Sequence, residues 1–286
     1  MSFCQKIIAM VCLSAALFGC SLAAIGGRYA DWYVMRRIDT FVGLSKEQRA
    51  YLDPKVDNHL VWIKTELLPD VNKSIGELIT RVERGLNKDD IVWVEGRIDF
   101  LRTRLHERIM PDVVWLLSRL SPEQIKHLEK ELNANVERSS KKVSSQTPEE
   151  FRQEKLEQYE DTFEDWVGPI TDAQKKTVEE IYGNLATLEQ RRIYLVGRAE
   201  VQETFLKLTM SPVNETALRQ FITTWIENPA DLRTGISKEA YTKRTLLVRD
   251  SLLKLQETLS EEQRQGLVKT LKDHQKDIQV FAESKP

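Results

Sequence analysis

The groups with which this chain could do chemistry are few and scattered. Four histidines, His59, His106, His127 and His274, stand far apart, and none has Glu three residues before it, so the Glu-x-x-His pattern of di-metal helical bundles is missing. Glu123 and His127, at i and i+4, would share one helix face. With no cysteine and no second histidine beside them, they read as a solvated ion pair rather than a metal site. No G-x-S-x-G elbow, P-loop or glycine-rich dinucleotide fingerprint occurs, and only 12 glycines exist from which to build one. Carboxylates are plentiful, yet nothing singles out a pair for acid–base work. The chain is therefore expected not to be an enzyme and to hold no metal and no cofactor.

Two groupings suit binding instead. Arg97, Arg104 and Arg108 lie at i, i+7 and i+11 of one predicted helix beside Arg102, a spacing that would suit a polyanion or a lipid headgroup. Glu95, Asp99 and Glu107 are interleaved and are expected to pair with them. Six tryptophans, Trp32, Trp62, Trp93, Trp115, Trp166 and Trp225, could line a groove, but most sit among apolar positions of predicted helices and are expected in the core. Trp32 and Tyr33 are the exceptions and stand as candidate binding residues. Trp62 joins them because it opens WIKTELLP (62–69), either a kink facing a partner or an ordinary proline kink. With 42 basic against 44 acidic residues and no basic block, nucleic acid is not an expected partner.

The amino terminus carries the clearest covalent chemistry. Residues 1–20, MSFCQKIIAMVCLSAALFGC, have one charge at Lys6 and an apolar run from Ile7 to Phe18. At ~1.5 Å per residue that run covers ~18 Å, well short of a ~30 Å hydrocarbon core, so it reads as a secretory signal peptide rather than a permanent span. Its end, Leu17-Phe18-Gly19-Cys20, resembles the bacterial lipobox. The resemblance implies cleavage after Gly19 and acylation of the Cys20 thiol, anchoring the mature chain in the membrane by lipid. Cys4 and Cys12 would leave with the signal, so no thiol remains for a disulfide, a metal or a nucleophile, and the loss of Lys6 leaves 41 basic residues against 44 acidic. By the sorting pattern of enterobacterial lipoproteins, and for a Gram-negative source, Ser21 rather than Asp after that cysteine implies the outer membrane, with the body facing the periplasm.

The elements that must carry these groups are helices. Apolar residues recur at helical spacing nearly throughout, and no segment sustains the alternation of a strand. Ile91, Val94, Ile98, Leu101 and Leu105 form one stripe; Val178, Ile181, Leu185 and Leu188 form another that continues to Leu195, Ala199 and Leu206. The expected fold is all-α, an elongated bundle of long antiparallel helices. Breakers stand at Pro54, Pro69, Pro111, Pro122, Pro148, Pro169, Pro212 and Pro229, several of them at tolerated first-turn positions, and the polar stretch 139–150, SSKKVSSQTPEE, is the best linker.

A short motif recurs four times: LSKEQ at 44–48, LSPEQ at 120–124, ITDAQ at 170–174 and LSEEQ at 259–263, well above what the composition gives by chance. Ser45, Ser121, Thr171 and Ser260 are expected N-caps whose side-chain oxygens accept first-turn N–H groups. Gln48, Gln124, Gln174 and Gln263, three residues on, reach back to the N-cap N–H and close a capping box. From Leu44 to the candidate cap Asn87 is 43 residues, and from Ile170 to the candidate cap Asn214 is 44; the second motif of each half follows the first by 76 and 89 residues. The spacing predicts a signal over 1–19, a lipidated tether and short helix over 20–39, and helical units over 40–145 and 166–284, with a linker and connecting helix over 146–165. Each unit is a helical hairpin bracketed by two boxes.

At these boxes, most closely in ITDAQKKTVEEIY and LSPEQIKHLEKEL, the sequence resembles the LTxxQ (Spy/CpxP) family of periplasmic helical proteins, in which two such motifs bracket a hairpin. The run RYADWYVMRRIDTFVGLSKEQ, followed by WIKTELLP, also resembles an uncharacterised family of proteobacterial lipoproteins. The first resemblance implies capture of a protein partner or unfolded client, chaperone-like or envelope-stress related; the alternative is an assembly adaptor in which the boxes only cap helices.

Overall fold

The computed structural model describes residues 29–183, 187–210 and 212–284. The signal segment, Gly19 and the acylation site Cys20 lie outside the described residues. Within them run eleven α-helices: α1 (Ala30–Val42), α2 (Lys46–Trp62), α3 (Leu68–Glu83), α4 (Lys88–Leu117), α5 (Pro122–Ser144), α6 (Pro148–Val167), α7 (Asp172–Tyr182), α8 (Leu188–Thr209), α9 (Glu215–Glu227), α10 (Gly235–Glu257) and α11 (Glu261–Glu283). One π-helical turn, Ile63–Leu67, joins α2 to α3. The fold is all-α and elongated, with no sheet among the described residues; α4 alone, at 30 residues, is about 45 Å long.

Eight of the eleven helices, all but α1, α3 and α10, start where a side chain accepts a first-turn N–H. Besides the four repeated boxes, Asn87 with Asp90 opens α4 and Thr147 with Glu150 opens α6, each with the bond made in both directions. The second of these corrects the expected linker: residues 139–144 are the last turns of α5 and 148–150 the first of α6, so only a short turn separates two helices. Thr147-Pro148-Glu149-Glu150 is itself a start signal, with proline at a first-turn position.

Two prolines expected to break helices sit inside them, Pro54 in α2 and Pro111 in α4. Both are exposed, as are Ala50 and Glu107 four residues earlier, so water can take the carbonyls that the missing N–H groups release. At Pro69 the helix instead widens into the π turn, closed by the Leu68 N–H on the Ile63 carbonyl just before the residue that cannot donate. That turn places Lys64, whose ammonium donates to the Ser284 carbonyl at 2.9 Å and covers the Phe281 ring, against the end of α11.

The second expected stripe also changes. α7 ends at Tyr182 and α8 opens with Thr187 capping the N–H of Gln190, so the stripe spans two helices; Leu185 lies outside the described residues. Ala199 is exposed, and the buried line of α8 runs instead through Leu195, Arg198, Val201, Gln202, Phe205 and Leu206.

The two halves of the chain share their cores. The most extensive helix pair joins α3 to α11, and another joins α5 to α8. Ile79 and Val82 of α3 pack with Leu271 of α11, while Leu128 and Leu132 of α5 join Val201, Phe205 and Leu206 of α8 under Phe221 and Trp225 of α9. α1 is part of this body rather than a free tether: Ala30, Met35 and Val42 are buried, and α1 packs on α2 and α5 as α6 packs on α7 and α11.

Candidate functional site

Two of the four motif boxes, those at 44–48 and 170–174, are approached by a helix that ends in glycine at positive φ, Gly43 after α1 (φ 65°) and Gly168 after α6 (φ 87°), which turns the chain into the extended residues before the cap. Ser45 then accepts from the Gln48 N–H at 3.2 Å while the Ser45 N–H donates to Gln48 Oε1 at 3.0 Å, and Ser121, Thr171 and Ser260 do the same with Gln124, Gln174 and Gln263. The carboxyls of Glu47 and Glu123 accept from their own backbone N–H and from the cap hydroxyl, which holds both below the usual carboxylate range.

The boxes meet in pairs across the fold. Gln48 Nε2 donates to Gln124 Oε1 at 3.1 Å and to the Arg119 carbonyl at 2.9 Å; Gln124 Nε2 donates to Gln48 Oε1 at 2.6 Å and to the Gly43 carbonyl at 2.8 Å. In the other half Gln174 Nε2 reaches Gln263 Oε1 at 2.7 Å and the Thr258 carbonyl at 3.0 Å, and Gln263 Nε2 reaches Gln174 Oε1 at 2.9 Å and the Pro169 carbonyl at 2.8 Å. Each carbonyl lies two residues before the partner's cap. Every amide in these clasps thus uses two donors and two acceptor positions, one of each toward its twin. A carboxylate at N3 would close the cap equally well but could not donate across the clasp.

Trp62 is half-buried under a row of cations: Arg104 and Arg108 lie 5.5 and 5.8 Å from its ring, and Arg97 and Arg104 lie 4.6 and 5.7 Å from Phe100. The expected pairing along α4 is made by Arg102 with Asp99 at 2.6 Å; Arg104 crosses to Asp70, and Arg97 to the Ser74 hydroxyl at 3.1 Å. Trp32 is 57% exposed with Arg36 at 5.4 Å from its ring, and Tyr33 is half-buried. Only Ala30, near these two, joins the apolar cluster that Trp62 borders. Of the six tryptophans expected mostly in the core, Trp225 alone is buried. Trp62, Trp93, Trp115 and Trp166 are half-buried at helix seams, where one face packs and the other carries a cation or ring, as Arg81 does on Trp93 and Tyr51 on Trp115.

Residues 40–234 match a family described as a family of unknown function, DUF6279. The chain belongs to DUF6279. No curated protein and no solved structure matches it. The DUF6279 segment carries three of the four boxes and the Trp62 row, and it stops short of Ser260 and Gln263.

The histidines are apart, each in its own setting. His127 donates from Nε2 to the Thr40 carbonyl at 3.0 Å and Glu123 accepts from the Ser121 hydroxyl, so the expected Glu123–His127 pair gives way to capping. His59 Nε2 and the Tyr51 hydroxyl both donate to Asp112, at 2.7 and 2.9 Å, and that bond raises the Tyr51 phenol. This network orients an imidazole, but its other nitrogen, Nδ1, has no partner. Burial pushes His106 down against the opposing pull of Glu227. Among the described residues no group of three His, Cys, Asp or Glu side chains is placed to hold a metal ion, and no helix is long and apolar enough to cross a membrane.

Proposed function

We propose that this chain is a non-catalytic, polypeptide-binding lipoprotein of two LTxxQ-like helical units, held at the periplasmic face of the outer membrane through an acylated Cys20. The pairwise meeting of the four boxes supports the two-unit reading, since each half repeats helix, positive-φ glycine, box and clasp. The observation that carries the binding role is the row Arg97, Phe100, Arg104, Trp62, Arg108. Arginine and aromatic side chains are the types enriched at protein interfaces, and here they alternate along one face with Phe100 and Arg108 exposed.

The body, freed of its anchor by starting after Cys20, slows the aggregation of a denatured client in light scattering, and Trp62→Ala with Arg108→Ala weakens that effect without changing helicity. No effect of the parent protein at several-fold excess overturns the client-binding role. The anchor has its own test: Cys20→Ala abolishes incorporation of labelled palmitate and releases the protein from the membrane fraction, whereas retained label would refute it. The interlocked core favours a second reading, a rigid adaptor for an envelope complex, which one stoichiometric co-purifying partner would distinguish from many weak ones.

A further inference from the structure

The seam between α8 and the start of α10 holds polar groups that have nothing to bind. Arg198, Gln202, Arg233 and Ser237 are only 6%, 3%, 4% and 7% exposed. Yet Nε and Nη2 of Arg198, both amide atoms of Gln202, Nε of Arg233 and the Ser237 hydroxyl lack partners and are closed to solvent. The Arg233 guanidinium lies 4.4 Å from the Tyr241 ring and 5.8 Å from the Tyr194 ring and spends one donor, Nη1, on the Pro229 carbonyl at 2.6 Å. Helix α10 reaches α8 at Gly197, where an added Cβ would fall 1.8 Å from the Ser237 oxygen and 3.8 Å from Arg233 Nε. Gly197 therefore brings Arg233 and Ser237 against the turn that carries Tyr194 and Arg198.

A guanidinium stays charged at every physiological pH, and a buried one left unpaired is costly. Among the described residues no Asp or Glu pairs with Arg198 or Arg233. Arg198 Nε and Nη2 form one edge of its guanidinium, the pair of parallel N–H groups that grips a carboxylate or phosphate with two bonds. The amino end of α10 adds to the same charge. Thr234 makes no side-chain cap, no acidic residue stands in the first turn, and the unclaimed hydroxyl of Ser237 sits at its third position.

We infer that this seam is a binding site for a compact oxyanion, either phosphate or the phosphoryl or carboxylate end of a small molecule. Arg198 grips it with both N–H groups of one edge, and Arg233, Gln202 and Ser237 complete the donor set. Because these atoms are closed to solvent, the occupant is admitted as the first turn of α10 lifts from Gly197. The site is separate from the Trp62 row and from the glutamine clasps, so its success or failure leaves the polypeptide-binding role where it stands.

The test is thermal unfolding of the protein titrated with inorganic phosphate and, separately, acetate, with chloride holding ionic strength constant. The melting temperature rises saturably with at least one of them: phosphate alone assigns a phosphoryl ligand, acetate alone a carboxylate, both a general oxyanion site. Arg198→Met removes the saturable shift while melting no lower than the parent in anion-free buffer, because it replaces an unpaired charge with an apolar chain of similar length. Arg198→Lys keeps the charge, loses the two-pronged edge and weakens the apparent affinity about tenfold or more, which preserves the comparison should the methionine variant not fold. A parent protein that shows no saturable shift with either anion, or variants that shift as the parent does, overturns the site.

Discussion

Replacing Gln174 with Glu isolates what the clasp adds to the cap. Both Gln174 and Gln263 are buried. As a carboxylate, residue 174 still accepts from the Thr171 N–H and from Gln263 Nε2, so the cap survives. The atom that replaces Nε2 now points an unshared pair at Gln263 Oε1 and the Thr258 carbonyl, which lie 2.7 and 3.0 Å from it. Two bonds of about 1 kcal/mol each are lost and two buried acceptors are left facing a charge, so the variant should lose about 3 to 5 kcal/mol at neutral pH. Protonation restores one donor. The folded-state pKa of the new carboxyl is therefore raised above its unfolded value of about 4.3, by about 2 units for every 3 kcal/mol of that penalty. The sign follows: below the unfolded pKa only the loss of the second donor remains, the charge-dependent part of the destabilisation grows as pH rises from the unfolded pKa to the folded one, and it is complete above the folded one. Urea unfolding of the parent and Gln174→Glu from pH 3.5 to 8 reads the difference directly. A penalty that is flat with pH, or below about 1 kcal/mol at neutral pH, would refute the clasp as a pair of reciprocal amide bonds.

Asp90 is fully buried beneath Arg81 and Arg84, at 2.6 and 2.5 Å, and accepts from the Asn87 N–H. Burial works to raise its carboxyl, but these three partners outweigh burial and hold it below the usual range, so its stabilisation is present above about pH 4 and is lost as pH falls through the depressed value. Asp90→Ala should cost about 2 to 3 kcal/mol at pH 7 and less in acid, measured by denaturant titration. Burial depresses His106, so stability should fall as pH drops below about 6.5, where the unfolded chain gains a proton that the folded one resists; His106→Gln should flatten that limb of the melting curve. Thr147→Ala should remove the box that opens α6 and cost about 0.5 to 2 kcal/mol, with hydrogen exchange accelerated in the first turn of α6 alone.

The caps could be read from the sequence because an N-cap and its N3 residue interact across three positions, and no tertiary knowledge is needed to see it. The partnership between boxes could not, since Gln48 meets Gln124 and Gln174 meets Gln263 across 76 and 89 residues. A trace of it was present all the same. The two other closed boxes carry an acid at N3, Asp90 and Glu150, whereas all four clasping boxes carry glutamine, the residue that can close a cap and still donate. The α8 stripe misled for a different reason. A count of apolar residues steps from Leu195 to Ala199, while the buried face passes through Arg198 and Gln202, which such a count treats as solvent-facing. An apolar stripe also names the face that is covered but not the helix that covers it, which is why the pairing of α3 with α11 was invisible.

From Ser21 onward the sequence holds no cysteine, so on the proposed envelope location this body has no disulfide with which to close its loops. A disulfide across 76 or 89 residues would stabilise by about 4 to 5 kcal/mol, chiefly by restricting the unfolded chain. The clasps occupy the same topological positions but act only in the folded state. Their bonds form once the helices of each half are docked, and α11 docks chiefly on α3 of the other half. Closure of Gln174 on Gln263 is therefore coupled to the folding of the first half of the chain, although the hydrogen bonds of both glutamines go to residues of the second half. The amides are neutral, so the clasp bonds themselves are indifferent to salt and to pH across the range where Asp90 and His106 titrate. A wild-type clasp that weakened in high salt would mean that charges, and not the amide pair, hold the boxes together.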